Sequence, residues 1–433
     1  MDEHIVFWFR RDLRVEDNCG LYHALSSGKK VIPLFIFDPN ILNQLENKSD
    51  RRVDFIHQQI MRLQKVFVQN GSSFFVFHDT PEKVFNQLVN EFRIKAVFTN
   101  HDYEPYAEKR DDSVKKLLHQ NKIEFHTFKD QVIFEKSEVT KADGKPYTVF
   151  TPYSRVWKKQ LEEKGIPSYN SEKLLQHLIR SEEREIPTLK EMGFIATDYQ
   201  VPDLSPDEEI IRHYDNTRNT PSLEGTTRMG IHLRFGTISV RALAKKAKQL
   251  NETYLNELIW REFFMMILHH FPHVVEGSFR REYDFIPWRN NEKDFKAWCE
   301  GKTGYPMVDA GMRQLNETGW MHNRVRMITA SFLAKHLLID WRWGQAYFAQ
   351  KLTDFELSAN NGNWQWAAGC GCDAAPYFRV FNPTEQAKRF DPEFKYIRKW
   401  VKEFGTPLYP NPVVEHSFAR NRALETYKSG LKK

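Results

Sequence analysis

The sequence predicts two architectures in series: an α/β portion built on a parallel sheet, then an all-α portion. Three observations carry this. Short apolar runs alternate with amphipathic stretches through the first 128 residues. Residues 129–206 are polar, with scattered prolines and few long apolar stripes. From residue 207 onward, apolar side chains recur at helical spacing. The length agrees, since 433 residues exceed what one hydrophobic core usually organises. The chain therefore reads as an α/β domain at 1–128, an interdomain connection at 129–206 and a helical domain at 207–433.

The first apolar run is Ile5–Phe9, followed by Val31–Phe37, Phe74–Phe77, Ala96–Phe98 and Glu124–Phe128. Between them lie helical stretches such as Val53–Phe67 and Pro81–Phe92. That alternation implies a parallel, Rossmann-like sheet with helices over both faces. No G-x-G-x-x-G follows the first run, which argues against a dinucleotide held on a glycine turn there. The connection reads as a long loop with some short helices. Beyond it, Tyr254–His269, Gly304–Leu315, Asn323–Leu338 and Tyr347–Leu352 carry apolar residues at helical spacing, and no internal repeat is evident.

Hydrophobic residues make up 41% and charged residues 28%, the balance of a soluble globular protein. A formal charge of +6 permits a nucleic-acid partner without requiring one. Cys19, Cys299, Cys370 and Cys372 offer no disulfide framework, and Cys370-Gly371-Cys372 lacks the second Cys or His pair of a zinc site, so no metal is expected. Ile5–Phe9 is too short for a signal peptide or a membrane span, so a cytoplasmic protein is expected.

The most informative window runs from Asp354 to Trp366. It holds two acids, Asp354 and Glu356, the amides Asn360 and Asn361, and the indoles Trp364 and Trp366. Gly362 reads as a place where the backbone bends or approaches a ligand closely. Upstream lies Gly319–Trp320–Met321–His322–Asn323–Arg324–Val325–Arg326–Met327. Burying unpaired polar groups is costly, so polar residues alternating with bulky apolar ones suggest a polar pocket with aromatic walls, suited to a large planar cofactor. Asn323, Arg324, Arg326 and Met327 start a helix. Arg326 or Arg324 needs an acid if buried, and Asp354 is the natural partner, in a site or as a purely architectural pair. Glu257, Trp260 and Arg261 share one helix face. They form either a surface patch with a salt bridge or a site wall, with Trp260 stacking on a flat ligand. Gly225–Thr226–Thr227–Arg228 suits a pyrophosphate or a plain helix N-cap.

Together these segments resemble the DNA photolyases and cryptochromes, and within them the class I cyclobutane pyrimidine dimer photolyases. The resemblance begins at Phe7–Trp8–Phe9–Arg10–Arg11–Asp12–Leu13–Arg14 and runs through Thr151–Pro152–Tyr153 and Leu255–Glu262. It is densest from Gly301–Lys302–Thr303–Gly304–Tyr305–Pro306 to Phe381–Asn382–Pro383, with Asn360–Asn361–Gly362 and Trp364–Gln365–Trp366 its most specific part. It implies that the helical domain binds FAD in a U shape. By this resemblance Tyr214, Thr226, Thr227 and Arg228 meet the ribityl chain and phosphates. Glu257, Arg261, Asn323 and Arg326 surround the ring and substrate, Asp354 and Glu356 lie near the flavin's polar edge, and Asn360 faces flavin N5. A cation such as Arg326 paired with Asp354 suits a reduced flavin anion, and an amide at Asn360 adds no opposing charge.

The resemblance further implies a carbon–carbon lyase that repairs cyclobutane pyrimidine dimers by electron transfer from light-excited reduced FAD, once the dimer has flipped out of UV-damaged DNA. Glu257, Trp260, Asn323, Met327 and Trp366 are the implied catalytic set. Trp260 and Trp366 wall the dimer, and Glu257 hydrogen-bonds it. Trp288, Trp341 and Trp364 match a chain that passes electrons to oxidised flavin. Arg218, Trp260, Arg324, Trp366, Arg379 and Lys388 match the DNA-binding face, where phosphate contacts are salt-sensitive. A second, antenna chromophore is implied. Tyr103–Glu104–Pro105–Tyr106–Ala107 lacks the Asn–Glu pair of the folate-binding branch and, with Phe37–Asp38–Pro39–Asn40–Ile41–Leu42, favours a deazaflavin. A monomer is expected, without a membrane partner. The other reading is a cryptochrome-type blue-light receptor without repair; Met327, Trp260 and Trp366 favour repair.

Overall fold

The computed structural model describes residues 2–432, which form two compact units. The first runs to Glu135 and takes up Lys159–Ser205 and Met229–Gln249. Its sheet has five parallel strands: β1 (His4–Phe9), β2 (Lys30–Ile36), β3 (Phe75–Phe77), β4 (Ile94–Asn100) and β5 (Glu124–Phe128), in the order β3-β2-β1-β4-β5. Strand periodicity explains why β1 reads as continuously apolar. Ile5, Phe7 and Phe9 point into one core with Phe67 and Phe74, while Val6 and Trp8 point into another with Phe85 and Leu88. Helices Arg51–Gln69 and Pro81–Glu91 fall where the sequence places them.

The stretch 129–206 is not one connection. Lys136–Lys158 belongs to the second unit and Lys159–Ser205 to the first, and the helix Phe150–Lys164 lies across that division. Residues 229–249, expected in the helical domain, join the first unit. Arg241, almost fully buried, bridges Asp17 at 3.0 Å and Asp130 at 2.8 Å there. Apolar periodicity identifies a helix but is blind to where an ionic anchor docks it.

The second unit comprises Lys136–Lys158, Pro206–Arg228 and the chain from Leu250 onward. Its helices include α1 (Glu252–His270), α2 (Glu292–Cys299), α3 (Pro306–Thr318), α4 (Asn323–Ser331), α5 (Trp341–Lys351) and α6 (Leu357–Ala368). Asn251 caps α1 by accepting from the Tyr254 N–H, and α1 buries residues around most of its circumference, as a central helix does. Asp340 caps α5. A single π-helical turn, Phe332–His336, follows α4.

The window at 354–366 folds mostly into α6, a regular helix. Gly362 neither bends it nor opens it to a ligand: a Cβ there would lie 2.1 Å from the Phe264 ring, so glycine lets α6 press onto α1. Among the described residues, no helix is long and apolar enough to cross a membrane.

Candidate active site

Helices α1, α4 and α6 enclose a cleft with two adjoining lobes. Asn323, Arg326, Asp354, Glu356, Asn360 and Trp364 line the first. Arg218, Glu257, Trp260 and Arg261 line the second. Asn323, Met327 and Trp366 belong to both. The structure thus gathers the whole expected catalytic set into one cleft, with seven of the expected cofactor residues, of which Glu257 and Asn323 belong to both sets.

The polar walls are paired from outside each helix. Arg326 Nη2 meets Asp354 Oδ2 at 2.8 Å, and its Nε donates to the Met321 carbonyl at 2.7 Å. Arg324 turns elsewhere, donating to Asn219 Oδ1 at 2.6 Å and lying over the Phe390 ring. The salt bridge considered between Glu257 and Arg261 does not form. Glu257 pairs with Arg218 at 2.6 Å, and Arg261 pairs with Glu356 at 3.0 Å. Burial pushes the Glu257 carboxyl up despite the opposing Arg218 charge, while 30% of its side chain still opens into the cleft. Asn360 donates to the Gln345 carbonyl at 3.1 Å. Asp354 Oδ1 is buried without a hydrogen-bond donor. A lone buried acceptor in an aromatic-walled cleft fits the ring N–H of a planar cofactor.

Trp260 is not free on both faces. The Phe150 ring stacks on it at 3.6 Å, only 5° from parallel. The Phe150 N–H is anchored to Asp373 Oδ2 at 3.1 Å. Sequence reasoning missed Phe150; its only signal was its place beside Thr151–Pro152–Tyr153.

The remaining expected residues lie outside the lining of the two lobes. Tyr254, also missed, joins two of them: its hydroxyl is 2.8 Å from Thr227 Oγ1, and its ring meets Tyr214 edge-on at 5.1 Å. Arg218 lies over Tyr214 and so connects this group to the second lobe. Thr226 is half-buried beside them. Arg228, in the left-handed backbone region at φ 53°, pairs with Glu224 and covers Trp320. Arg379 lies over Phe381, and Lys388 forms an exposed pair with Glu385. Arg324 is pushed down by burial and by the charges of Arg218, Arg389 and Arg379, which marks a dense basic region around it.

Trp364 is buried in the wall of the first lobe, edge-on to Phe348 at 5.0 Å. Trp341 is buried at the start of α5, and Trp288 is edge-on to Tyr427. Gly344 sets the Trp364 position, because a Cβ there would lie 2.1 Å from the indole and 2.5 Å from Leu333. Gly344→Ala is therefore expected to cost about 1–3 kcal/mol by overpacking and to shift the tryptophan fluorescence. Urea denaturation with emission spectra measures both; an unchanged midpoint would show that Trp364 yields freely.

An α/β unit joined to a helical unit, whose polar, aromatic cleft lies beside a basic region, defines a cofactor-dependent protein suited to nucleic acid. A family model described as DNA photolyase matches residues 5–171, and one described as the FAD binding domain of DNA photolyase matches residues 254–407. The chain belongs to the DNA photolyase family. It is 37% identical to the deoxyribodipyrimidine photo-lyase of Escherichia coli, covering 100% of both chains, and 36% identical to that of Synechococcus, covering 98% of this chain and 96% of the relative. It is thus an enzyme of the photo-lyase type with an FAD-binding helical domain. Among solved structures, a bacterial class III photolyase from Agrobacterium tumefaciens superposes with a TM-score of 0.89 at 31% identity, covering 100% of this chain and 98% of that one. An archaeal photolyase from Sulfolobus tokodaii with two FAD molecules gives 0.81 at 35% identity, covering 98% and 100%.

Proposed function

We propose that this enzyme repairs cyclobutane pyrimidine dimers in UV-damaged DNA by light-driven electron transfer from reduced FAD. The observation that carries the reading is the continuity of the two lobes. One offers the unpartnered Asp354 acceptor beside Arg326, and the other has Glu257 beside the Trp260 and Trp366 indoles. The motif pattern from Asn360 to Trp366 supports class I within the family.

Bound FAD supplies a light-absorbing electron donor. Asp354 Oδ1 accepts from its ring, Arg326 balances negative charge beside it, and Arg261 with Glu356 and Asn360 completes that wall. Tyr214, Thr226, Thr227 and Arg228 hold its ribityl and phosphate portions. In the second lobe Trp260, backed by Phe150, and Trp366 offer flat apolar surface to a flipped dimer, with Met327 also in the lining. Glu257, whose carboxyl burial pushes up against the opposing Arg218 charge, stands where it can hydrogen-bond the polar edge of the dimer as charge develops there. Arg218, Arg324, Arg379 and Lys388 meet phosphates. A light-harvesting chromophore in the first unit, a deazaflavin rather than a folate, accompanies this reading on the Tyr103–Ala107 sequence. Reconstitution with each chromophore distinguishes them.

The direct test is repair of a dimer-containing oligonucleotide by the FAD-containing protein under blue light and in the dark. Light-dependent restoration of the pyrimidines is expected. Flavin photoreduction without repair would overturn the reading in favour of a light receptor. Trp260→Ala should weaken binding to damaged DNA by about 1–3 kcal/mol, the worth of one stacking platform. Binding to undamaged DNA and the salt slope should barely change, because phosphate contacts remain. Equal weakening on both DNAs would show that Trp260 only supports the fold.

A further inference from the structure

We propose that Lys335 is a positioning residue for DNA binding: its buried amine clamps the Arg379 carbonyl and so fixes the turn 376–381 that presents the Arg379 side chain to phosphate. The inference rests on the reading of Arg379 as a phosphate contact given above. Lys335 lies in the π-helical turn Phe332–His336 and is 1% exposed. Its Nζ donates to the Arg379 carbonyl at 2.8 Å. Arg379 itself is exposed, lies over Phe381 and adds its charge to the basic region around Arg324. Within the turn, the Arg379 N–H donates to the Pro376 carbonyl at 2.9 Å and the Val380 N–H to the Phe378 carbonyl at 3.1 Å. Those bonds close the turn on itself and do not tie it to the body of the unit. Tyr377, stacked along Tyr427 at 5.7 Å, ties the entering arm. Lys335 ties the point that carries Arg379.

Lysine is rarely buried this fully unless an acid pairs with it. Lys335 forms no ion pair among the described residues, and burial followed by the Arg379 charge pulls its amine down to about 8, so it keeps its proton at neutral pH. An apolar side chain of similar volume would fill the same space without that desolvation penalty. The charge is thus held against the preference of the fold, and the bond it makes is to one carbonyl of the turn. A charged donor makes a stronger hydrogen bond than a neutral one. The base of the clamp is rigid: the His336 carbonyl accepts from Arg422, and the His336 ring meets His416 Nδ1 at 2.9 Å, both on the helix His416–Gly430. Single π-helical turns recur at functional sites. An arginine on a loose turn must order that turn as it meets phosphate, and the lost freedom weakens binding. A turn fixed beforehand escapes that loss.

The test compares the FAD-containing wild type with Lys335→Met, Arg379→Ala and the double variant. Lys335→Met keeps the bulk and loses the donor, so its urea midpoint should hold or rise. Its affinity for damaged and undamaged DNA alike should fall several-fold, and its salt slope should fall toward that of Arg379→Ala, about one unit below the wild type. The double variant should bind no worse than Arg379→Ala, because Lys335 acts through Arg379. Trypsin reads the clamp without DNA. The carbonyl it attacks after Arg379 is the one Lys335 holds, so the Arg379–Val380 bond should be cut several-fold faster in Lys335→Met. Lys335→Gln, neutral and shorter, repeats each comparison should Lys335→Met fold poorly. Additive losses in the double variant, equal cutting after Arg379, or a lowered midpoint with an unchanged salt slope would overturn the clamp. Failure of the Arg379 reading looks different: Arg379→Ala would bind DNA like the wild type with the same salt slope, and Lys335 would then position nothing for DNA.

Discussion

Asp354→Ala is expected to strip the protein of flavin and to destabilise its helical unit at the same time. The two oxygens of this carboxylate have separate tasks. Oδ2 holds the Arg326 guanidinium at 2.8 Å, and Oδ1 is the buried acceptor without a donor. Breaking a fully buried pair costs about 3–5 kcal/mol because a charge is stranded. Arg326 is 25% exposed and keeps its bond to the Met321 carbonyl, so about 2 kcal/mol is the fitting expectation here. Flavin content, read from the visible spectrum of purified protein, should fall at least tenfold, which is about 1.4 kcal/mol or more of binding. Asp354→Asn keeps the shape and an acceptor oxygen, so it should hold the fold better than it holds flavin. A stoichiometric flavin complex in Asp354→Ala would remove Asp354 from the site.

Acid should unfold the helical unit before its carboxylates titrate. His322 accepts the Arg324 N–H through Nδ1 at 3.2 Å and so caps α4. Burial, with Arg326 and Arg324 close by, holds its pKa at about 4. Burial, then His416 and Arg422, holds His336 at about 3, and Phe332 stacks on its ring at 4.8 Å. Both values lie below the ordinary 6.5, so the unfolded chain binds more protons than the fold. Their contribution is therefore fully present above pH 6.5 and is lost as pH falls, through about 4 for His322 and about 3 for His336. For His322 the total is about 3 kcal/mol, and His336 adds a similar or larger amount. Urea midpoints between pH 7 and 5 should fall steeply, and His322→Gln and His336→Phe should each flatten that slope. A slope unchanged in both variants would show that these rings are not the acid-sensitive groups.

What the sequence made legible followed from local periodicity and from the cost of burying charge. The strands were visible because Val, Ile and Phe cluster in short runs. The Arg326–Asp354 pair was visible because a buried guanidinium requires an acid, and Asp354 opens the acidic motif that follows it. Helical spacing likewise put Glu257, Trp260 and Arg261 along one wall. Their partners were not legible, since Arg218 and Glu356 come from other elements and nothing local points to them. Helix α6 was hidden because Ser358, Asn360, Asn361 and Gln365 interrupt the apolar pattern of its buried positions, which otherwise hold only Trp364, Ala367 and Ala368. Phe150 was hidden because a lone phenylalanine in a polar stretch gives no sign of the indole it backs.

The helical unit is not continuous along the chain, and this governs how the molecule can be made and cut. Lys136–Lys158 leaves the ribosome long before α1. Within it, the Trp157 indole N–H donates to Glu262 at 2.5 Å, and Phe150 backs Trp260. Until α1 emerges, both rings are apolar surface without a cover, a span in which a nascent chain is open to chaperones and to aggregation. A gene fragment beginning at residue 207 would encode every helix of the cleft wall but neither ring. It would leave Glu262 buried without that donor and Trp260 open on its back face. Dissection of this enzyme into independently expressed halves should therefore fail at the obvious boundary, and a cleavable tag or fusion partner is better placed at the termini than between the units.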